Sequence, residues 1–307
     1  MKPSADHAHG PRKPITHAIY NISVSRILSA FRGVLDALDD LQQSLSTRTS
    51  VTDPGARLIA AHTELLEAMS SHIEDAFQIM KACHPPRPDI GEPFADRWLE
   101  RARFRGAAHF KVAVKPYRDV VSALVNRVKH EHGQLRLIAF SNGVVHVPGY
   151  YLEAIGSDGV AGQDPALHPG NTAFSFNRDL RLHFIHLYDI GNALKAVLSP
   201  ALKQQGIRVT GRPIMHSSQE LLLVAERVEA LGTTVFPDEV RKATPHVRVQ
   251  EGDDNVSVAV RYPSLATFRL PDPTMIVSTL IQGDGFTSQF RVPYFGRDLG
   301  VTMEEGR

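Results

Sequence analysis

Apolar residues at Ile22, Ile27, Leu28, Phe31, Val34, Leu35, Leu38, Leu41 and Leu45 recur at the 3.6-residue period of an amphipathic helix, predicted from about Ile19 to Ser46. The polar stretch "STRTSVTDPG" breaks it. A second helix is predicted over about 56–83, with Leu58, Leu65, Leu66, Met69, Ile73, Phe77 and Met80 on its inner face, and "HPPRPDIGEP" ends it. Two long helices joined by so short a loop are expected to pack antiparallel. A third helix is predicted in "FADRWLERARF". A fourth carries Val120, Val121, Leu124, Val125 and Val128 on one face, with Pro116 expected in its first turn and Gly133 as its stop. The polar residues 1–16 are expected to form a flexible tail, and 17–133 a helical bundle.

The periodicity then changes. "RLIAFSNGVVHVPGYYLEAI" alternates on either side of Asn142-Gly143 and predicts a β-hairpin. A glycine- and proline-rich loop at 156–171 leads to "FNRDLRLHFIHLYDIGNALKAVL", apolar nearly all round and so expected to be a buried helix. A shorter helix follows at about 219–231. Two more hairpins are expected in "HVRVQEGDDNVSVAVRY" and "MIVSTLIQGDGFTSQFRVPYF", turning at 253–255 and 283–285. Helices first and antiparallel-leaning strands later make the class α+β, with 134–307 as the α+β portion.

Charge changes the picture locally rather than globally. The net formal charge is +1, which gives no overall attraction for nucleic acid or anionic lipid. Between Arg97 and Arg136, however, ten basic residues face three acidic ones, a net of +7. Within that stretch Arg101, Arg103, Arg105, Lys111, Lys115, Arg118 and Lys129 are candidates to track a phosphate backbone, and Trp98, Phe104 and Phe110 candidates to stack on bases. The single cysteine, Cys83, cannot close an intrachain disulfide and argues for a reducing compartment. With no apolar run long enough for a signal peptide or a membrane span, the expected location is the cytoplasm, with no membrane partner.

The densest chemistry lies in "ALVNRVKHEHGQLRL", where Asn126, Arg127, Lys129, His130, Glu131 and His132 crowd the end of the fourth helix. With Val120 at zero and 100° per residue, the apolar face centres near about 70°, and Asp119, Asn126 and His130 form a polar stripe opposite it. Such a stripe is ordinarily solvated, and basic residues in a last turn favour the helix dipole. RNA cleavage without a metal needs a base titrating near neutrality to take the 2′-hydroxyl proton, and a fixed cation beside the phosphate. "RVKHEH", Arg127 to His132, resembles the arginine, four to six residues, histidine signature of HEPN domains. These are helical-bundle proteins, many of which act as dimeric, metal-independent endoribonucleases in bacterial defence and toxin systems, often beside an antitoxin. The resemblance covers about 17–133. It implies that Arg127 stabilises phosphate charge and that His132 is the general base or acid, with RNA as partner, a homodimer and no cofactor. His130, on the same face as Asn126, is the alternative histidine.

A second cluster lies on the buried helix. Asp179, His183 and His186 fall at i, i+4 and i+7 on one face, with His168 in "ALHPG" as a fourth candidate, a donor set suited to zinc or iron. Ile190 and Val197 continue that face, as they would for hydrogen-bonded core histidines. "QGDGF" and "EGDDN" lack the ligand spacing of a calcium loop and are read as turns. No Walker loop, dinucleotide fingerprint or serine elbow is present. Two functions are expected from these observations: an HEPN-like endoribonuclease cutting by 2′-hydroxyl attack, or a non-catalytic scaffold of the same shape that binds a protein or nucleic acid.

Overall fold

The computed structural model describes residues 12–131, 133–142, 144–204, 206, 218–251, 256–262, 276–279, 289–295 and 299–300. His132 and the turns expected at 253–255 and 283–285 lie outside the described residues, as does 1–11 of the expected tail. Residues 12–16 of that tail are already helical, because α1 runs from Arg12 to Thr47. It is followed by α2 (Thr52–Cys83), α3 (Ala95–Arg101) and α4 (Arg105–His130). The ion pairs Arg26–Asp75 and Arg57–Asp40 run in opposite chain directions, so α1 and α2 are antiparallel, as their short connection requires.

α4 begins eleven residues before the proline expected to start it, and Pro116 lies in its interior. The missing amide costs Val112 its carbonyl partner, but Val112 is 73% exposed, so water can take that bond. Phe104 ahead of the helix, with α3, folds back on His84 at 5.6 Å.

The hairpin expected from Asn142-Gly143 forms: β1 (Gln134–Ser141) and β2 (His146–Ile155) pair antiparallel from Gln134↔Glu153 to Ser141↔His146. The Asn142 side chain accepts from the Val144 and Val145 amides and shapes the turn. Next come β3 (Ala161–Gln163), β4 (Phe174–Ser175), α5 (Phe176–Gln204) and α6 (Ser218–Ala230). β5 (His246–Glu251) and β6 (Val256–Arg261) make the second expected hairpin. Among the described residues the two arms of the third do not pair with each other. β7 (Ile276–Thr279) pairs with β1, whereas β8 (Gln289–Phe290) pairs in parallel with β3 and antiparallel with β9 (Leu299–Gly300). The larger sheet therefore runs β7-β1-β2-β3-β8-β9 with β4 on β2, and the two arms of the expected hairpin end on opposite sides of it.

Side-chain alternation places this sheet between two apolar clusters. Leu135, Leu137, Tyr150 and Leu152 face the helices and join one core that includes Phe31, Met69, Phe110, Leu124 and Phe184. Ile138, Phe140, Val147 and Tyr151 face the other way, against Phe236 and Val292. The first core runs without a break across residue 133. No helix among the described residues is long and apolar enough to cross a membrane.

Candidate nucleic-acid interface and a buried histidine cluster

On α4 the residues Lys111, Lys115, Arg118, Ser122, Asn126 and Lys129 follow one another at intervals of four, three, four, four and three. They form a single polar stripe about 27 Å long at 1.5 Å rise per residue. All but Lys129 line a groove of about 590 Å³ whose opposite wall is Ser70 and Glu74 of α2, with Asp119 at its side. Each cation has a carboxylate neighbour: Lys111–Glu100 at 2.8 Å, Lys115–Asp119 at 2.6 Å, Arg118–Glu74 at 3.4 Å and Lys129–Glu67 at 3.2 Å. Arg118 also lies over the Phe77 ring, which fixes its guanidinium at the groove wall. The Glu74 carboxyl is pushed up by burial, and by Asp96 and Asp75, against the opposing pull of Arg118.

The remaining basic candidates lie beyond the N-terminal end of this stripe. Arg101 pairs with the buried Glu92 at 3.1 Å, Arg103 occupies the turn between α3 and α4 at a φ of 56°, and Arg105 opens α4. Two of the three aromatic candidates are buried and the third, Phe104, is half-buried. Phe110 is fully buried against Phe77, Trp98 is 6% exposed, and Phe104 packs against His84, because the apolar face that carries them builds the core.

At the helix end, Asn126 and His130 are exposed. Arg127 is committed elsewhere. Its Nη1 lies 2.9 Å from Oδ2 of Asp164, a carboxylate with 2% of its side chain exposed, and 3.3 Å from Glu131. The Asp164 backbone amide bonds to Leu152 of β2, so Arg127 ties the end of α4 to the sheet. The Glu131 and Gly133 amides both return to the Arg127 carbonyl and close the helix, the stop expected of Gly133.

The four metal candidates read from sequence separate. Asp179 and His183 meet, with His183 Nε2 2.9 Å from Asp179 Oδ2. His186 turns away to stack on Tyr117 at 4.1 Å and to face Asp189 at 3.2 Å. At i+7 it is a turn beyond His183 and closer to the α5 surface. His168 accepts the Leu152 amide through Nε2. Their place is taken by His62 of α2, fully buried, with its Nε2 3.6 Å from the same Asp179 oxygen. The sequence offered one signal for it: a histidine on the inner face of α2 between Leu58 and Leu65. His72, on the same face, gives the same signal and is merely bonded to Ser23 at 2.9 Å.

Around this trio, Tyr150 of β2 donates its hydroxyl to Asp179 Oδ2 at 2.8 Å, and the Tyr117 hydroxyl of α4 is 2.8 Å from His183 Nδ1. Burial lowers His62 to about 3, Asp179 opposing, so the ring is neutral. Burial works against the Asp179 carboxylate, but His183, His62 and the Tyr150 hydroxyl outweigh it and hold the group ionised below the usual range. Both tyrosines are pushed well above 10 by burial and by Asp179.

No family model matches the chain, and no curated protein or solved structure does so at a significant level. The HEPN resemblance accordingly stands on the Arg127–His132 motif alone.

Proposed function

We propose that the α2–α4 face binds RNA through its phosphate backbone. The observation that carries this reading is the stripe of four cations, one serine and one asparagine along 27 Å of α4, most of it inside a groove. The cations' present partners are no obstacle. Exposed ion pairs are worth about 0–1 kcal/mol, so exchanging a carboxylate for a phosphate oxygen costs little, and release of condensed counterions supplies the affinity. Bases would then face solvent or a partner, since Trp98 and Phe110 are in the core, and binding would depend weakly on sequence.

The engagement of Arg127 with Asp164 favours binding over cleavage, because a guanidinium held by a buried carboxylate must abandon it to stabilise a phosphate. Cleavage by the resembled HEPN chemistry is the alternative outcome of the same experiment. Labelled single-stranded RNA is titrated with the wild type and with a Lys111→Gln/Lys115→Gln/Lys129→Gln variant across a salt series with EDTA present. Wild-type affinity is expected to fall with salt, and the variant to lose about 2 units of the log–log slope, with the RNA recovered intact. Equal slopes for the two proteins would remove the stripe from the interface. Fragments with cyclic phosphate ends, absent with Arg127→Ala, would instead assign cleavage.

A further inference from the structure

We propose that His62, Asp179 and His183 form a binding site for one divalent first-row transition-metal ion, zinc(II) or iron(II), at the junction of α2, α5 and β2. The three donor atoms, His62 Nε2, Asp179 Oδ2 and His183 Nε2, lie within 4.8 Å of one another. An ion bonded to each at about 2.1 Å would see the 2.9 and 3.6 Å nitrogen–oxygen separations at angles of about 90° and about 120°, the range of octahedral and tetrahedral coordination. Two imidazoles and a carboxylate are the donor set such ions take in three-residue sites.

The hydrogen bonding of the trio is incomplete without a cation. Among the described residues neither nitrogen of His62 has a hydrogen-bond partner, although the side chain is entirely buried. Each unmet buried polar atom costs about 1–3 kcal/mol, and native cores leave few of them unexplained. His183 presents the second gap. Its Nε2 is 2.9 Å from the carboxylate but not aligned as a hydrogen bond to it. If Nδ1 carries the proton and donates to Tyr117, Nε2 turns a bare lone pair towards an anionic oxygen, an arrangement that is repulsive unless a cation lies between them. If Nε2 carries the proton, its N–H is poorly aligned to the carboxylate oxygen 2.9 Å away. A metal ion bonded to both Nε2 atoms resolves the gap at His183 and one of the two at His62, since the three donor atoms already lie within 4.8 Å of one another.

The surroundings are those of a supported site. The Tyr117 hydroxyl fixes the far nitrogen of His183, and Tyr150 fixes the carboxylate, the outer contacts that set tautomer and orientation in metal-bound imidazole and carboxylate groups. Phe176 and Tyr150 wall the His62 ring at centroid distances of 5.1 and 4.3 Å, leaving it one orientation. The Asp179 side chain keeps 13% of its surface exposed, a route for the ion and for a water or hydroxide as a further ligand.

The test uses the full chain stripped with chelator and titrated by calorimetry with zinc(II), and with cobalt(II) as a spectroscopic probe. One equivalent is expected to bind, and X-ray absorption of the zinc-loaded wild type is expected to show two imidazoles and no sulfur. His62→Leu and Asp179→Asn, each shown to be folded by circular dichroism, are expected to lose binding at least 100-fold, while His72→Leu keeps it. No saturable binding by the wild type would overturn the site, as would undiminished binding in a folded His62→Leu protein or a wild-type spectrum without paired imidazoles. The X-ray absorption result decides the matter should the variants fail to fold.

Discussion

Glu239 shows how one buried group makes stability depend on pH. It is 0% exposed, and its carboxylate accepts from the Ser175 hydroxyl and from the Ser175 and Phe236 amides. Burial nevertheless raises its pKa from 4.5 to about 7, the Ser175 bond and Arg178 opposing. A carboxyl whose folded pKa is raised binds more protons when folded, so its contribution is present below about 4.5 and is lost as pH rises through about 7. The span of the shift is worth about 3 kcal/mol. Glu239→Gln cannot titrate, so urea unfolding is expected to show the variant gaining on the wild type between about pH 5 and about pH 8. A stability difference that stays constant over that range would mean that another group titrates. At this scale the sequence made positions legible but not partners. Arg127 stands out in "NRVKHEHG", yet the carboxylate that occupies it, Asp164, lies in a loop after β3 that no local pattern links to α4. His62 could be seen as a histidine on an apolar face, but only the packing of α2 on α5 distinguishes it from His72.

Elements followed their periodicity closely where they were long. The two hairpins with local turns, and all six helices, were legible because an apolar face at helical spacing or an alternating pair of strands defines its own partner. β3 was not, and β7 and β8 were legible as strands but not in their pairing, since those pairings connect distant parts of the chain. Gly149 shows what such a pairing demands of a residue. It lies in β2 opposite Ser175, and a methyl group there would press on the Phe174 carbonyl and come within 2.5 Å of the Phe236 ring. Gly149→Ala is therefore expected to destabilise the protein by about 2 kcal/mol or more through forced separation of β2, β4 and the Phe236 loop. The midpoint of urea unfolding measures this, and an unchanged midpoint would show that Phe236 yields without cost.

On the scale of the whole molecule, the composition of the core decides whether the helical part stands alone. The helices of 17–133 do not close a core among themselves. Phe31 of α1 packs edge-on against Phe184 of α5 at 5.9 Å, Tyr117 of α4 bonds His183, and Leu135 and Leu137 of β1 are buried in the same cluster. Removing everything after 133 would strip Leu180, Phe184, Ile185, Leu187 and Tyr150 from that cluster, each contributing about 1.5–3 kcal/mol of apolar burial. That loss approaches or exceeds the 5–15 kcal/mol by which domains are ordinarily stable. The expected result is that the 17–133 fragment keeps part of its helical circular dichroism but melts without a cooperative transition and binds an apolar dye, while the full chain unfolds in one step. A fragment with a sharp melt and no dye binding would show instead that α1–α4 are a self-sufficient bundle and that α5 and the sheet dock onto a finished surface. The same experiment bears on the RNA-binding face. The α2–α4 groove keeps its shape only if those helices hold their packing, so a loosened fragment is expected to lose the salt-dependent binding together with its cooperative melt.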